Sequence, residues 1–195
     1  MFGYLLLALF PALLFACCPP AKWQGKWEGQ QYVAYGSKDA DGSSTFLAIR
    51  QFASYDKNRM MAYYNQSFEQ NGNDVTQLVW MDYHTGIEYV IAGGTCMKMN
   101  ITTFVPFCIP DNAETIEHSF VGAGHSMIRT TMYKFTVPNG VAYMTVADEG
   151  CIPLMYESTG SNGRGGTQKV TAEIFGITAG IVDESVFTVP SACKM

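Results

Sequence analysis

The sequence predicts an all-β chain of antiparallel strands, stacked as a sandwich or curled as a barrel. Three observations carry this. From Lys26 onward, turn residues recur roughly every ten residues. The runs between them are short, and rich in β-branched and aromatic residues. No stretch shows the apolar spacing of an amphipathic helix.

The first strand is expected over Trp27 to Tyr35, followed by the polar turn Lys38-Asp39-Ala40-Asp41-Gly42-Ser43-Ser44. Phe46 to Tyr55 is the second, and Asp56-Lys57-Asn58 turns tightly into a third, Arg59 to Phe68. After Asn71-Gly72-Asn73-Asp74, Val75 to Tyr83 and Ile87 to Ala92 make a hairpin around His84-Thr85-Gly86. Cys96 to Thr102 follows Gly93-Gly94. Phe104 to Glu117 carries Pro106 and Pro110, alternates poorly and reads as a long loop. Strands resume at Ser119 to Ala123, Ser126 to Val137, Val141 to Ala147 and Ile152 to Glu157. The glycine-rich loop Gly160 to Gly166 precedes a last long strand, Gln168 to Ile177. The end of the chain breaks at Gly176 and Gly180, forms a turn or helical turn from Asp183, and leaves extended through Pro190. Cys193 stands near the terminus, where a disulfide would pin a segment that otherwise frays.

Several strands are apolar on both faces. Leu78 and Trp80 alternate with Val79 and Met81; Ile87, Tyr89 and Ile91 alternate with Val90 and Ala92. A sheet wetted on one side alternates apolar with polar, so these strands are expected to be covered twice. The cover is a second sheet, a ligand or another subunit. Ordinary core packing is the simpler reading; an apolar cavity or a dimer interface is the sharper one. Methionines such as Met60, Met81, Met99 and Met132 suit a deformable lining and equally suit a core.

The apolar run Tyr4 to Ala16 is too short to span a bilayer and reads as a signal peptide over residues 1–16, cut near Ala16–Cys17. Leu14-Phe15-Ala16-Cys17 also resembles a bacterial lipoprotein box, but Phe15 is bulky for it and a basic start is missing. Residues 17–195 then form a single domain with no linker, repeat or further apolar span. A net charge of -5 argues against nucleic acid as a partner. Six cysteines without a C-x-x-C pair argue for disulfides and against a zinc ribbon, and spacing alone leaves their connectivity open. Asn65-Gln66-Ser67 and Asn100-Ile101-Thr102 are glycosylation acceptors, at Asn65 and Asn100.

Nothing in the sequence assembles a nucleophile, a base and an oxyanion hole, so an enzyme is not expected. Gly124-His125-Ser126-Met127-Ile128 lacks the closing glycine of a nucleophile elbow. His84, His118 and His125 have no metal-ligand spacing. Asp39 to Ser43 resembles half an EF-hand loop without the closing glutamate. The loop at Gly160 lacks the lysine of a phosphate cradle.

Motifs along nearly the whole mature chain carry a resemblance. Cys18-Pro19-Pro20 leading to Trp27-Glu28-Gly29 is one, and Tyr55-Asp56 with Asn58 and Arg59 is another. Cys96-Met97-Lys98-Met99, Ile109-Pro110 and Glu149-Gly150-Cys151-Ile152-Pro153 follow in order. Gly176-Ile177 to Asp183, then Ser185, Phe187, Pro190 and Cys193, closes the series. Together they resemble the ependymin-related protein family. The resemblance implies two stacked antiparallel sheets forming a half-open barrel around a deep apolar pocket, as in bacterial lipoprotein carriers, and a homodimer.

It further implies a secreted binding or carrier protein for hydrophobic molecules such as lipids or fatty acids, with the lysosomal lumen as another destination. Calcium has been attributed to the family and is not required by it; its ligands are unknown here. The alternative is an extracellular matrix or adhesion glycoprotein acting through a protein interface. Implied disulfides are Cys18–Cys151 and Cys96–Cys193. Vertebrate relatives have a further bridge whose two cysteines are absent here; this chain has Cys17 and Cys108 instead, open to pairing, to staying free or, for Cys17, to loss on cleavage. Apolar strand centres suggest Trp80, Tyr89, Ile91, Met132, Tyr143 and Leu154 as pocket residues, with plain core as the simpler reading of each. Arg59 and Arg129 are strand-borne cations within reach of a lipid carboxylate.

Overall fold

The computed structural model describes residues 17–34, 44–70, 73–101, 104, 106–162 and 165–193. The expected leader over residues 1–16, the Lys38–Ser43 turn with its half EF-hand, the Asn71-Gly72 corner and the centre of the Gly160–Gly166 loop lie outside them.

The strands are β1 (Lys22–Ala34), β2 (Ser44–Asp56), β3 (Met61–Gln70), β4 (Asn73–Asp82), β5 (Ile87–Ala92), β6 (Thr95–Asn100), β7 (Glu114–Val121), β8 (Ile128–Val137), β9 (Gly140–Ala147), β10 (Ile152–Ser161) and β11 (Thr167–Ala179). The all-β expectation holds. The two expected sheets are continuous, hydrogen-bonded as one open antiparallel sheet ordered β6-β5-β4-β3-β2-β1-β11-β10-β9-β8-β7. Its first and last strands are neighbours at the centre, where β1 pairs with both β2 and β11. Local contacts make the hairpins: the Asp56 carboxylate accepts from the N–H groups of Asn58 and Arg59, at 2.9 and 3.1 Å. Asp82 does the same for His84 and Thr85 at 3.0 and 3.1 Å. Among the described residues no helix is long and apolar enough to cross a membrane.

Several boundaries differ from expectation: β10 runs on to Ser161, into the expected glycine-rich loop, and β11 continues through Gly176, where a break was expected, to Ala179. β1 begins five residues early because Trp23 is buried, and the intervening Gly25 is a close-packed position rather than a break. β7 begins at Glu114, inside the expected loop; all eight of its side chains are exposed, so it shows no burial alternation to read.

Away from the shifts in β1, β7 and β10, register assigns the strand residues to a face. The inner face holds both core clusters: Trp23, Ala53, Tyr55 and Ala62 in one, Met144, Val146 and Cys151 with Ile109 in the other. The segment after β6 lies on it, with Phe107 packed against both clusters and Phe104 against the first. The Phe104 ring stacks on Tyr55 at 6.1 Å and meets Tyr83 edge-on at 5.1 Å. Phe107 sits 5.6 Å from Trp23 and 5.7 Å from Trp27. This aromatic plug is the part of the poorly alternating loop that sequence patterning left without a role.

The disulfides hold the plug. Cys17 forms an antiparallel bridge with Ile109, whose N–H donates to the Cys17 carbonyl at 2.8 Å. That alignment sets Cys18 opposite Cys108, and the two are bonded. Cys17 bonds Cys151 in the turn before β10. The implied Cys18–Cys151 pair is therefore replaced. Adjacent residues of an extended strand point to opposite sides, so Cys17 and Cys18 take different partners. Cys96–Cys193 forms as the resemblance implied.

On the outer face the chain end covers β3 to β6. Glu184–Phe187 forms the helical turn expected from Asp183, whose carboxylate caps it through the Ser185 N–H at 2.9 Å. Phe187 is buried, and the Trp80 indole donates to the Val186 carbonyl at 2.7 Å. Glu184 pairs with Lys22 at 2.8 Å and with Arg59; both cations also reach the fully buried Asp56, at 3.2 and 3.5 Å. On the doubly apolar β4 it is thus the chain's own end that covers Trp80 on the second face.

Candidate ligand site on the inner face

The plug fills only part of the inner face. Beyond it, toward the ends of β1 and β3 and the starts of β2, β4 and β11, the same face continues as an apolar surface. Ile49 stands opposite Phe68, and Phe68 opposite Val75; on the other side Gly29 stands opposite Ala172. A cleft of about 140 Å³ opens here, lined by Trp27, Gly29, Ile49, Gln51, Val170 and Ala172 together with Gln30 and Thr171. Gly29 is required: a Cβ there would collide with the Thr171 carbonyl oxygen and stand 2.8 Å from the Ala172 Cα.

Register places no charged residue on the inner side of β1, β2, β3, β4, β9, β10 or β11. The face is hostile to charge. Burial pushes the Tyr64 and Tyr55 phenols up, and also the Glu88 carboxyl on the inner side of β5. Around the cleft its polar groups are amides and the Trp27 indole. Gln77, Gln66 and Gln51 stand side by side across β4, β3 and β2, and Gln51 faces Trp27 on β1. The Trp27 Nε1–H is buried with no acceptor among the described residues. An apolar cleft with a few polar anchors is what small-molecule sites share.

A larger cleft, about 470 Å³, lies on the outer face among Glu28, Arg50, Glu157 and Glu173. It adjoins one of about 300 Å³ lined by Met132, Tyr143, Thr145, Met155 and Glu157. Size favours the outer cleft and chemistry the inner. Seating an apolar molecule against these charged groups would strip their water without replacing it, so the inner cleft is the better apolar site.

The residues picked from strand centres fall elsewhere. Trp80, Tyr89 and Ile91 are on the outer side of β4 and β5, Trp80 directly beneath the chain end. Met132 and Tyr143 line the smaller of the two outer clefts, and Leu154 sits at the irregularity between Pro153 and Met155 in β10. Their neighbours Val79, Val90 and Tyr133 have the inner parity. With both alternating sets apolar, a one-residue choice of phase decides the face, and sequence does not fix it. Arg59 is committed to Asp56 and Glu184 and lies over the Phe187 ring at 5.6 Å. Arg129 is exposed at the start of β8, opposite Phe120. Neither meets the cleft. Asn65 is exposed on the outer side of β3 and Asn100 at the end of edge strand β6. His118 bonds Thr131 at 3.0 Å, and Thr131 donates to Asp148 at 2.7 Å. Among the described residues no group of three or more His, Cys, Asp or Glu side chains converges as a metal site would.

Comparison with known proteins adds the family. The family model described as Ependymin matches residues 70–193. The chain belongs to the ependymin family. Within it, ependymin-related protein 1 of Haliotis asinina is 25% identical over 191 residues, covering 91% of this chain and 90% of the relative. The fold is also similar to a crystal structure of an uncharacterized conserved protein from Thermus thermophilus. That TM-score is 0.51 at 6% identity, over 88% of this chain and 87% of that one, and it speaks for the fold alone. Ependymin-family membership suggests a secreted protein, and the disulfides of this member suit an oxidising compartment.

Proposed function

We propose that this ependymin-family chain is a non-enzymatic carrier that shelters hydrophobic molecules on the inner face of its sheet. The observation that carries the reading is the charge-free inner surface beyond the plug, open at the Trp27–Ile49–Val170 cleft. Such surface is unfavourable in water and gains roughly 25 cal/mol for each Å² an apolar ligand covers. The test uses the uncharged fluorophore N-phenyl-1-naphthylamine. Its emission rises when the full chain is added, and Ile49→Glu or Val170→Trp, each checked for native near-UV circular dichroism, removes the rise. No rise with the wild-type chain, or equal rises with the variants, contradicts the site.

A second reading, an adhesion or matrix protein acting through a dimer, draws on apolar side chains left on the outer face. Phe46, Phe175, Met155 and Tyr143 are 59%, 41%, 44% and 36% exposed. Sedimentation equilibrium separates the readings: a monomer at every concentration removes the second.

A further inference from the structure

From the same cleft we infer the ligand's polar end: an uncharged hydrogen-bonding group such as a hydroxyl, ester or amide, rather than a fatty-acid carboxylate. The inference rests on the carrier reading and narrows it. A carboxylate brought to the inner face would need a cation, and register puts none on the inner side of the strands around the cleft. Arg59 is held by Asp56 and Glu184, Arg129 lies at the far start of β8, and Lys26, Arg50 and Lys169, on β1, β2 and β11, point to the outer face. An unpaired buried carboxylate gives up its hydration for nothing comparable.

What the face does offer is neutral donors and acceptors in a row. The Trp27 indole N–H is buried with no acceptor among the described residues, and a ligand carbonyl or hydroxyl oxygen would supply one. Next to it stands Gln51, followed by Gln66 and Gln77 at the usual strand spacing of about 5 Å. The side-chain amides of these glutamines make no hydrogen bond to another described residue. Amides both donate and accept, so together they match a polyol or amide head and not a point charge. The apolar neighbours Ile49, Phe68 and Val75 run alongside the glutamine row, one step further along each strand pair. Chain and head of an amphiphile would lie side by side there.

The test compares three ligands of equal chain length as competitors of N-phenyl-1-naphthylamine at neutral pH: glycerol monolaurate, methyl laurate and laurate. Glycerol monolaurate is expected to compete at roughly tenfold lower concentration than laurate, and several-fold lower than methyl laurate, which has no hydroxyl. Gln66→Lys puts a cation on the inner face and is expected to bring laurate level with, or ahead of, the monoglyceride. Trp27→Phe with Gln51→Leu should erase the advantage of glycerol monolaurate over methyl laurate. Laurate binding as tightly as the monoglyceride in the wild-type chain overturns the inference, as does a Gln66→Lys chain that folds and gains nothing for laurate. If a variant fails to fold, the wild-type order alone decides. A chain that binds the fluorophore but ranks the competitors otherwise loses this inference and keeps the carrier reading; a chain that binds no fluorophore loses both.

Discussion

Replacing Phe187 with alanine should destabilise the whole domain, although the residue lies close to the end of the chain. Its ring is 5% exposed. The neighbours that would have to collapse into the space are held from several sides. Trp80 bonds the Val186 carbonyl at 2.7 Å, Glu184 pairs with Lys22 and Arg59, and Cys193 is bonded to Cys96. A void is therefore kept, and truncations of this kind cost about 3–5 kcal/mol. The Arg59 guanidinium over the ring, half in solvent, adds about 0.5–1 kcal/mol. For a domain of this size each kcal/mol lowers the midpoint by about 2–4 °C, so the expected fall is about 7–24 °C. Thermal unfolding followed by near-UV circular dichroism, with disulfides intact, reads it. Val182, 88% exposed in the same segment, supplies the control, and Val182→Ala should leave the midpoint unchanged. A fall of under about 2 °C for Phe187→Ala would mean the chain end is not part of the core, and the double cover of β4 would need another source.

Non-reducing peptide mapping should recover Cys17 linked to Cys151 and Cys18 to Cys108; a Cys18–Cys151 peptide would contradict the bridge between Cys17 and Ile109. Gly29→Val should force β1 from β11 and lower the stability read from urea unfolding by at least about 1–3 kcal/mol, and an unchanged midpoint would deny the close approach. Burial raises the Tyr55, Tyr63, Tyr64 and Tyr83 phenols, so these groups keep their protons in the folded chain after unfolded tyrosines have lost theirs. Their contribution to stability is full below about pH 10 and declines as pH rises beyond it; tyrosine absorbance that titrates in a single step near pH 10 would contradict the burial.

Strand positions were legible because the turns announce themselves. Asp56-Lys57-Asn58 and Asp82 with His84 and Thr85 are turns whose aspartates bond the backbone ahead, and the hairpin strand Ile87–Ala92 appears at its expected bounds. The Asp183 turn was legible for the same reason: a short acidic side chain caps the next N–H groups. Which face of β4 or β5 looks inward was not legible. Val79 and Trp80 are both buried, one against the core and one under the chain end, and local composition treats them alike. The plug escaped notice because Phe104 and Phe107 act through contacts with Trp23, Trp27 and Tyr55, far off in sequence. The site itself was a matter of absences, a face without charges, which appears only when residues from seven strands are sorted by register.

Photo-crosslinking with an alkyl diazirine, followed by peptide mapping, asks most directly where a hydrophobic molecule rests on this chain. The account predicts label on the β1, β2 and β11 peptides at Trp27, Ile49 and Val170, competed away by glycerol monolaurate. Label confined to Met132, Tyr143 and Met155 on the outer face, or no label that a competitor removes, would contradict it.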